Sequence, residues 1–172
     1  RVGVPVSQKN AAGEDISLNH SSTTTAMPPL DLTALAWVWQ AGRRFVKIEV
    51  DPAGGIARKS GRSKSWLLHL GSTGCSGNPA NGAIVHCTSG NRFDVAFERF
   101  DVASDTVVLD LVGLLRDIDV TNDEGGAVGC MSAQSDPECR PVFEHLGLAA
   151  ASSGAHGGMV MQSAFRVAAH AK

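Results

Sequence analysis

Apolar and polar positions alternate with the two-residue period of a half-buried β-strand in several stretches of this chain. Val46, Ile48 and Val50 alternate with Phe45, Lys47 and Glu49, and that period puts successive side chains on opposite faces. Upstream, Trp37 and Trp39 stand two apart, so 35–50 predicts two strands, or one long strand bent at Gly42. The run Trp66-Leu67-Leu68-His69-Leu70 predicts a strand ending at Gly71. Phe93, Val95 and Phe97 alternate with Asp94, Ala96 and Glu98, and 106–110 is dense in β-branched residues, which predicts two more strands. The segment 110–115 turns into a short helix that Gly113 weakens. The tail through Ala164, Phe165, Arg166 and Val167 returns as a closing strand.

Between these runs the pattern is that of loops. The opening to Leu30 lacks apolar periodicity and carries Ser21, Ser22, Thr23, Thr24, Thr25, Pro28 and Pro29, so it predicts extended loop with little core. Asp51-Pro52-Ala53-Gly54-Gly55 reads as a turn, followed by a polar loop through Lys64, and the chain is again loop-rich from Val120 to Cys139. There is no internal repeat or heptad. The assembly predicted is mainly β: an antiparallel β-sandwich or barrel-like body with long loops.

Composition agrees with that pattern. The 172 residues are 43% hydrophobic and only 19% charged, with 19 glycines, which favours strands and turns over long surface helices and fits one domain. A net charge of −2 offers no global field for nucleic acid, and the basic residues within 43–64 read as a solvated loop face. No run is long enough to span a membrane, and the N-terminus lacks the charged-then-apolar pattern of a signal peptide.

The four cysteines, Cys75, Cys87, Cys130 and Cys139, form two locally spaced pairs in segments rich in Gly, Ser, Pro and Asn. Their even number and loop setting predict two disulfides and an oxidising compartment, periplasmic or secreted. Three connectivities are possible; Cys75–Cys87 with Cys130–Cys139 is preferred because each closes a short loop. Cys75 near His69 also has the makings of a thiol activated by a base, but the disulfide reading is stronger. Gly71-Ser72-Thr73-Gly74 lacks the spacing of a serine-hydrolase elbow.

Among six histidines, His20 and His69 are the candidate metal ligands. One follows Asn19 in the N-terminal loop, and the other ends an apolar strand, where a neutral imidazole suits copper and apolar surroundings limit solvent. The alternative is a structural histidine bonded to a backbone carbonyl. His86, His145, His156 and His170 are weaker candidates. Asp117, Asp119, Asn122, Asp123 and Glu124 are oxygen ligands in the style of calcium, but they miss the EF-hand order, so a solvated acidic loop is preferred. Trp37 and Trp39 share a side of their strand and read first as core.

The combined segments resemble the four-cysteine copper proteins of the MbnP type. The correspondence runs through Gly3-Val4-Pro5, Leu18-Asn19-His20, Pro29-Leu30, Trp37-Val38-Trp39-Gln40-Ala41-Gly42 and Phe45-Val46-Lys47-Ile48-Glu49. It continues through His69-Leu70-Gly71-Ser72-Thr73-Gly74-Cys75, Cys87, Asn91-Arg92, Gly129-Cys130-Met131-Ser132, Asp136-Pro137-Glu138-Cys139 and Leu146-Gly147-Leu148. The resemblance implies a β-rich secreted protein that binds copper with His20 and His69 and with a kynurenine made from a tryptophan. It implies as partner a dihaem cytochrome c peroxidase-like (MauG-like) enzyme. Trp37 and Trp39 lie in the matching motif and are favoured for that modification, whereas Trp66 lies outside it and alternates away from His69. Two departures stand out. The chain begins where relatives already have preceding sequence, so 1–172 is expected to be a single copper-binding domain lacking an N-terminal portion. Arg43 also stands where an aromatic residue is expected.

The function expected from all of this is copper binding for uptake, storage or delivery in the cell envelope, without turnover of a substrate. The alternatives are a metal-free structural or interaction domain held by disulfides, and a copper redox enzyme with an open coordination position.

Overall fold

The computed structural model describes residues 7–9, 15–17, 36–37, 42–59, 61–76, 86–93, 95–148 and 162–169. The predicted mainly-β architecture is what the chain adopts: twelve short strands and two short helices among the described residues, in several small sheets with no closed barrel. The largest sheet has four strands, β3 (Ala36–Trp37), β4 (Gly42–Val50), β7 (Trp66–Gly71) and β11 (Gly129–Cys130), in the order β11-β7-β4-β3. Of the two readings of 35–50, two strands is correct, since β3 pairs antiparallel with β4.

Register explains the core. Opposite residues share a face of the sheet, and Val46 faces Leu70, Ile48 faces Leu68 and Val50 faces Trp66. That row packs against Cys130, Cys139, Val142, Phe143, Leu146 and Leu114. Leu67 and His69 point to the other face, opposite Glu49 and Lys47. An irregularity between Arg44 and Val46 then brings Arg44 opposite Gly71, so Arg44 joins the face that carries His69.

Parallel β11 enters beside β7 through Gly129, whose φ of 79° is open to glycine. A Cβ there would overlap the Leu67 backbone. The strand β10 (Asp105–Leu109) pairs antiparallel with β12 (Phe165–Ala169), the predicted closing strand. The one-turn helix α1 (Leu111–Leu114) begins where Asp110 accepts from the backbone N–H groups of Val112 and Gly113. Gly113 lowers helix propensity, yet a Cβ there would come within 2.9 Å of the Ser163 carbonyl, so the close pass of the chain requires it. The opening stretch, expected to be extended loop, contains a small hairpin of β1 (Ser7–Lys9) and β2 (Asp15–Ser17).

Two further local expectations need correction, and one element was not expected at all. The polar loop after Gly55 contains a hairpin, β5 (Ile56–Arg58) with β6 (Gly61–Ser63). Ile56, fully buried, anchors it, and Ala57 exchanges backbone hydrogen bonds with Thr121 and Asp123; its stability comes from docking, which its polar sequence does not display. The alternation at 93–97 does not mark a strand, because no ladder forms there among the described residues. Phe93 instead packs on Phe165 at 5.9 Å, and Phe97 stacks on Phe100, so alternation records burial of one face without a pairing partner. Finally, Cys139 opens a two-turn helix, α2 (Cys139–Leu146), that no expectation covered. Cys139, Val142, Phe143 and Leu146 are its buried stripe, at the i, i+3, i+4, i+7 spacing of an amphipathic helix. Gly147 ends it at φ 75°, with Leu148 N–H returning to the Phe143 carbonyl.

Both disulfides have the preferred pairing, Cys75–Cys87 and Cys130–Cys139. The first joins directly opposite residues of β8 (Thr73–Ser76) and β9 (His86–Ser89). The second ties β11 to the start of α2.

Candidate functional site

His69 is 4% exposed although it lies on the face of β7 turned away from the main core. Its Nδ1 is 3.1 Å from Nη1 of Arg44, and its Nε2 is 3.3 Å from Oε1 of Glu49. Lys47 also reaches Glu49 Oε1, at 3.2 Å. Burial, the largest effect, holds the His69 pKa below its ordinary value; the Glu49 carboxylate opposes this, and the Arg44 charge adds to it. A guanidinium has only donors, so Nδ1 accepts from Arg44 and carries a lone pair, while Nε2–H donates to Glu49. The ring is thus a neutral imidazole in one defined tautomer, the state a metal ligand requires.

The backbone at His69 is held as closely as its ring. The Ser132 hydroxyl donates to the His69 carbonyl at 2.7 Å and accepts from Gly71 N–H at 2.9 Å. Asn91 Nδ2 donates to the carbonyls of Gly71 and Ser132 at 2.8 and 3.1 Å, and Gln134 donates to Asn91 Oδ1 at 2.9 Å. Ser132 and Asn91 are buried and adopt positive φ, 66° and 47°. Ser132 lies within the Cys130–Cys139 bridge and Asn91 lies just past Cys87, so the chain at each disulfide supplies one side chain to the polar hub beneath His69. Sequence reasoning did not single these residues out as functional. Their signal lay in the quoted Asn91-Arg92 and Cys130-Met131-Ser132 segments, but only the fold shows what they grip.

Trp66 belongs to a different environment. It is fully buried on the core face, and its indole N–H donates to Glu138 Oε1 at 3.0 Å. Glu138 Oε2 accepts from Gly129 N–H at 3.2 Å. Burial is the main cause that pushes the Glu138 carboxyl up to about 7, with the Trp66 hydrogen bond opposing it. Trp66 and His69 are therefore not brought together.

Other candidate residues are placed less fully. His20 and Trp39 lie outside the described residues, as do His156 and His170. Trp37 is described by its backbone, in register with Gly42, two residues before Arg44 on the neighbouring strand. His145 Nδ1 lies 2.8 Å from the Leu114 carbonyl, a structural contact between the helices. In the acidic loop, Asp123 pairs with Arg58 at 2.9 Å, and Asp119 accepts from the Thr121 N–H and hydroxyl. Among the described residues no three His, Cys, Asp or Glu side chains converge as a metal cluster. No helix among them is long and apolar enough to cross a membrane.

Comparison with known proteins places the chain. A solved structure, MbnP from Methylosinus trichosporium, matches with a TM-score of 0.84 and 46% identity, covering 98% of this chain and 61% of that one. The chain thus spans less than two thirds of that relative's length. No curated protein matches. The MbnP family profile matches residues 3–132, which contain His20, Trp37, Trp39, His69 and the Ser132 hub. With three quarters of its length under that profile and this structural likeness behind it, the chain belongs to the MbnP family.

Proposed function

We propose that this protein binds copper in the cell envelope, for uptake, storage or delivery, and does not itself turn over a substrate. The observation that carries the reading is the buried, neutral imidazole of His69 in an MbnP-family chain, fixed by Glu49 at the ring and by Ser132 at the backbone. Such a donor suits copper, which takes imidazole nitrogen readily and gains from ligands held by a second layer of hydrogen bonds. His20 supplies the second imidazole. Of the tryptophans, one of the pair Trp37 and Trp39 is favoured as the one oxidised to a kynurenine ligand, by a dihaem peroxidase-like partner, since the backbone of Trp37 lies beside the strand that carries Arg44. Trp66 is disfavoured because its indole is committed to Glu138 on the opposite face. Two disulfides support an oxidising compartment, periplasmic or extracellular.

The test is copper binding to the chain with both disulfides formed, compared with the His20→Ala, His69→Ala double variant. The double variant should bind at least about tenfold more weakly, since losing even an outer-shell partner of a ligand typically costs that much. Equal binding by the two proteins would sink it. Peptide mapping of protein from its native source identifies the third ligand, through the mass change of tryptophan to kynurenine at Trp37 or Trp39.

One observation favours a competing reading, a metal-free domain stabilised by its disulfides: both ring nitrogens of His69 already have partners within the chain. A ligand bound only by the native state must raise its stability. A thermal midpoint unchanged by one equivalent of copper therefore selects the structural reading, and a raised one selects copper binding.

A further inference from the structure

Resting on the copper reading, we infer that copper is taken by Nδ1 of His69, that Glu49 orients the ring through Nε2–H, and that the Arg44 guanidinium occupies the metal's side of the ring until copper displaces it. Arg44 Nη1 lies 3.1 Å from Nδ1 and can only donate. Nδ1 therefore presents a lone pair in the metal-free chain, and the ring proton is on Nε2, directed at Glu49 Oε1 3.3 Å away. A metal at Nε2 would require that proton to move to Nδ1, where it would confront an Arg44 N–H, two donors with no acceptor. A metal at Nδ1 leaves the proton where it is and keeps the Glu49 contact, in the arrangement by which carboxylates fix ligating histidines.

Fold and charge point the same way. The irregularity in β4 between Arg44 and Val46 is what puts Arg44 opposite Gly71 and beside the ring. Without it, the alternation set by Val46, Ile48 and Val50 would turn position 44 to the core face. Glu49 is held in turn by Lys47 at 3.2 Å, and its side chain is 42% exposed, so it adjusts to the ring at little steric cost. A cation already sits at Nδ1, which keeps the lone pair protected and the ring oriented before the metal arrives. Arg44 and Glu49 are positioning residues in this scheme: one competes with the metal, and the other prepares its ligand.

The experiment follows the two nitrogens directly. The whole chain, disulfides intact and its histidine nitrogens isotope-labelled, is titrated with Ag(I) as a magnetic stand-in for Cu(I). Long-range correlation spectra of the imidazole report the tautomer and any silver–nitrogen coupling. Before addition, His69 is expected to show the Nε2–H tautomer. After addition, coupling is expected at Nδ1, with the proton still on Nε2. In parallel, Cu(I) competition titrations should show Arg44→Gln binding about tenfold or more tightly than the parent, the scale of one lost charge-assisted hydrogen bond, and Glu49→Gln binding about tenfold more weakly. Silver coupling at Nε2, or an Arg44→Gln variant that binds no better than the parent, overturns the inference while leaving His69 a ligand. Absence of coupling at either nitrogen, with His69→Ala binding Cu(I) as well as the parent, overturns the copper role of His69 itself. The spectra of the unsubstituted chain decide the coordinating nitrogen even where a variant misfolds.

Discussion

Trp66 and His69 stand three residues apart on one strand, and the pleat sends them to opposite faces. On the core side, Trp66 and Gly129 hold the carboxyl of Glu138, 4% exposed and pushed up to about 7 from an ordinary 4.5. Its effect on stability has a definite sign. Between about pH 4.5 and 7 the unfolded chain loses the Glu138 proton while the folded chain keeps it, so stability is full below that window and falls as the pH rises through it. The fall should amount to at most about 3 kcal/mol. Asp136, also raised by burial, shares this direction. His69, whose pKa is lowered, works oppositely: its contribution is present above about 6.5 and is lost as the pH falls toward its folded value. Urea unfolding of the parent and Glu138→Gln at pH 5 and pH 8 separates these effects. The variant should lose less stability than the parent between the two pH values, and an identical loss in both would remove Glu138 as the cause.

At the scale of elements, the helix α2 is what closes the core over β7. Its stripe of Cys139, Val142, Phe143 and Leu146 packs with Leu68 and Leu70 in one cluster. Leu146→Ala should cost about 2–5 kcal/mol through the cavity it leaves, whereas Glu144→Ala, on the exposed side, should stay within about 0.5 kcal/mol of the parent. Denaturant midpoints measured side by side check the contrast; equal losses would mean that α2 does not use this face. The same stripe was legible in the spacing of the sequence, where its terminating Gly147 also stood, yet the cysteines and prolines around it read as loop. The hairpin of β5 and β6 was not legible in that way. Its inward anchor is Ile56 and its outer edge docks on Thr121 and Asp123, contacts between residues more than sixty positions apart that no local pattern encodes.

For the molecule as a whole, the two disulfides do unequal work. Cys130 and Cys139 are fully buried in the core cluster, whereas Cys75 and Cys87 are partly exposed on a two-stranded ribbon. Replacing Cys130 and Cys139 together by serine should lower stability by about 2–4 kcal/mol from the lost cross-link, with a further loss from polar atoms placed in the core. The Cys75, Cys87 double serine variant should lose less. Equilibrium unfolding of both variants under non-reducing conditions tests the order, and a larger loss in the Cys75, Cys87 variant would refute it. Either change also disturbs the hub under His69, since Ser132 lies within the Cys130–Cys139 bridge and Asn91 just past Cys87; weakened copper binding in both variants is the accompanying expectation.

Legible in the sequence alone were the mainly-β class, a preference for the disulfide pairing found, the strand carrying His69 and the opposite facing of Trp66, while the choice between two strands and one bent strand about Gly42 stayed open. Each of these rests on local periodicity or short loop closure, which neighbouring residues display. The resemblance of its motifs also pointed to the family that the structural match then established. Only the tertiary structure decided that Arg44 reaches His69, because a one-residue irregularity in β4 inverts which face position 44 occupies. It alone decided that Ser132 and Asn91 hold the His69 strand and that Glu138 is buried beneath Trp66. The physical reason is the same in each case. A polar side chain looks alike in sequence whether it faces water or a partner, and its role is set by which distant backbone or ring the fold brings within hydrogen-bonding distance.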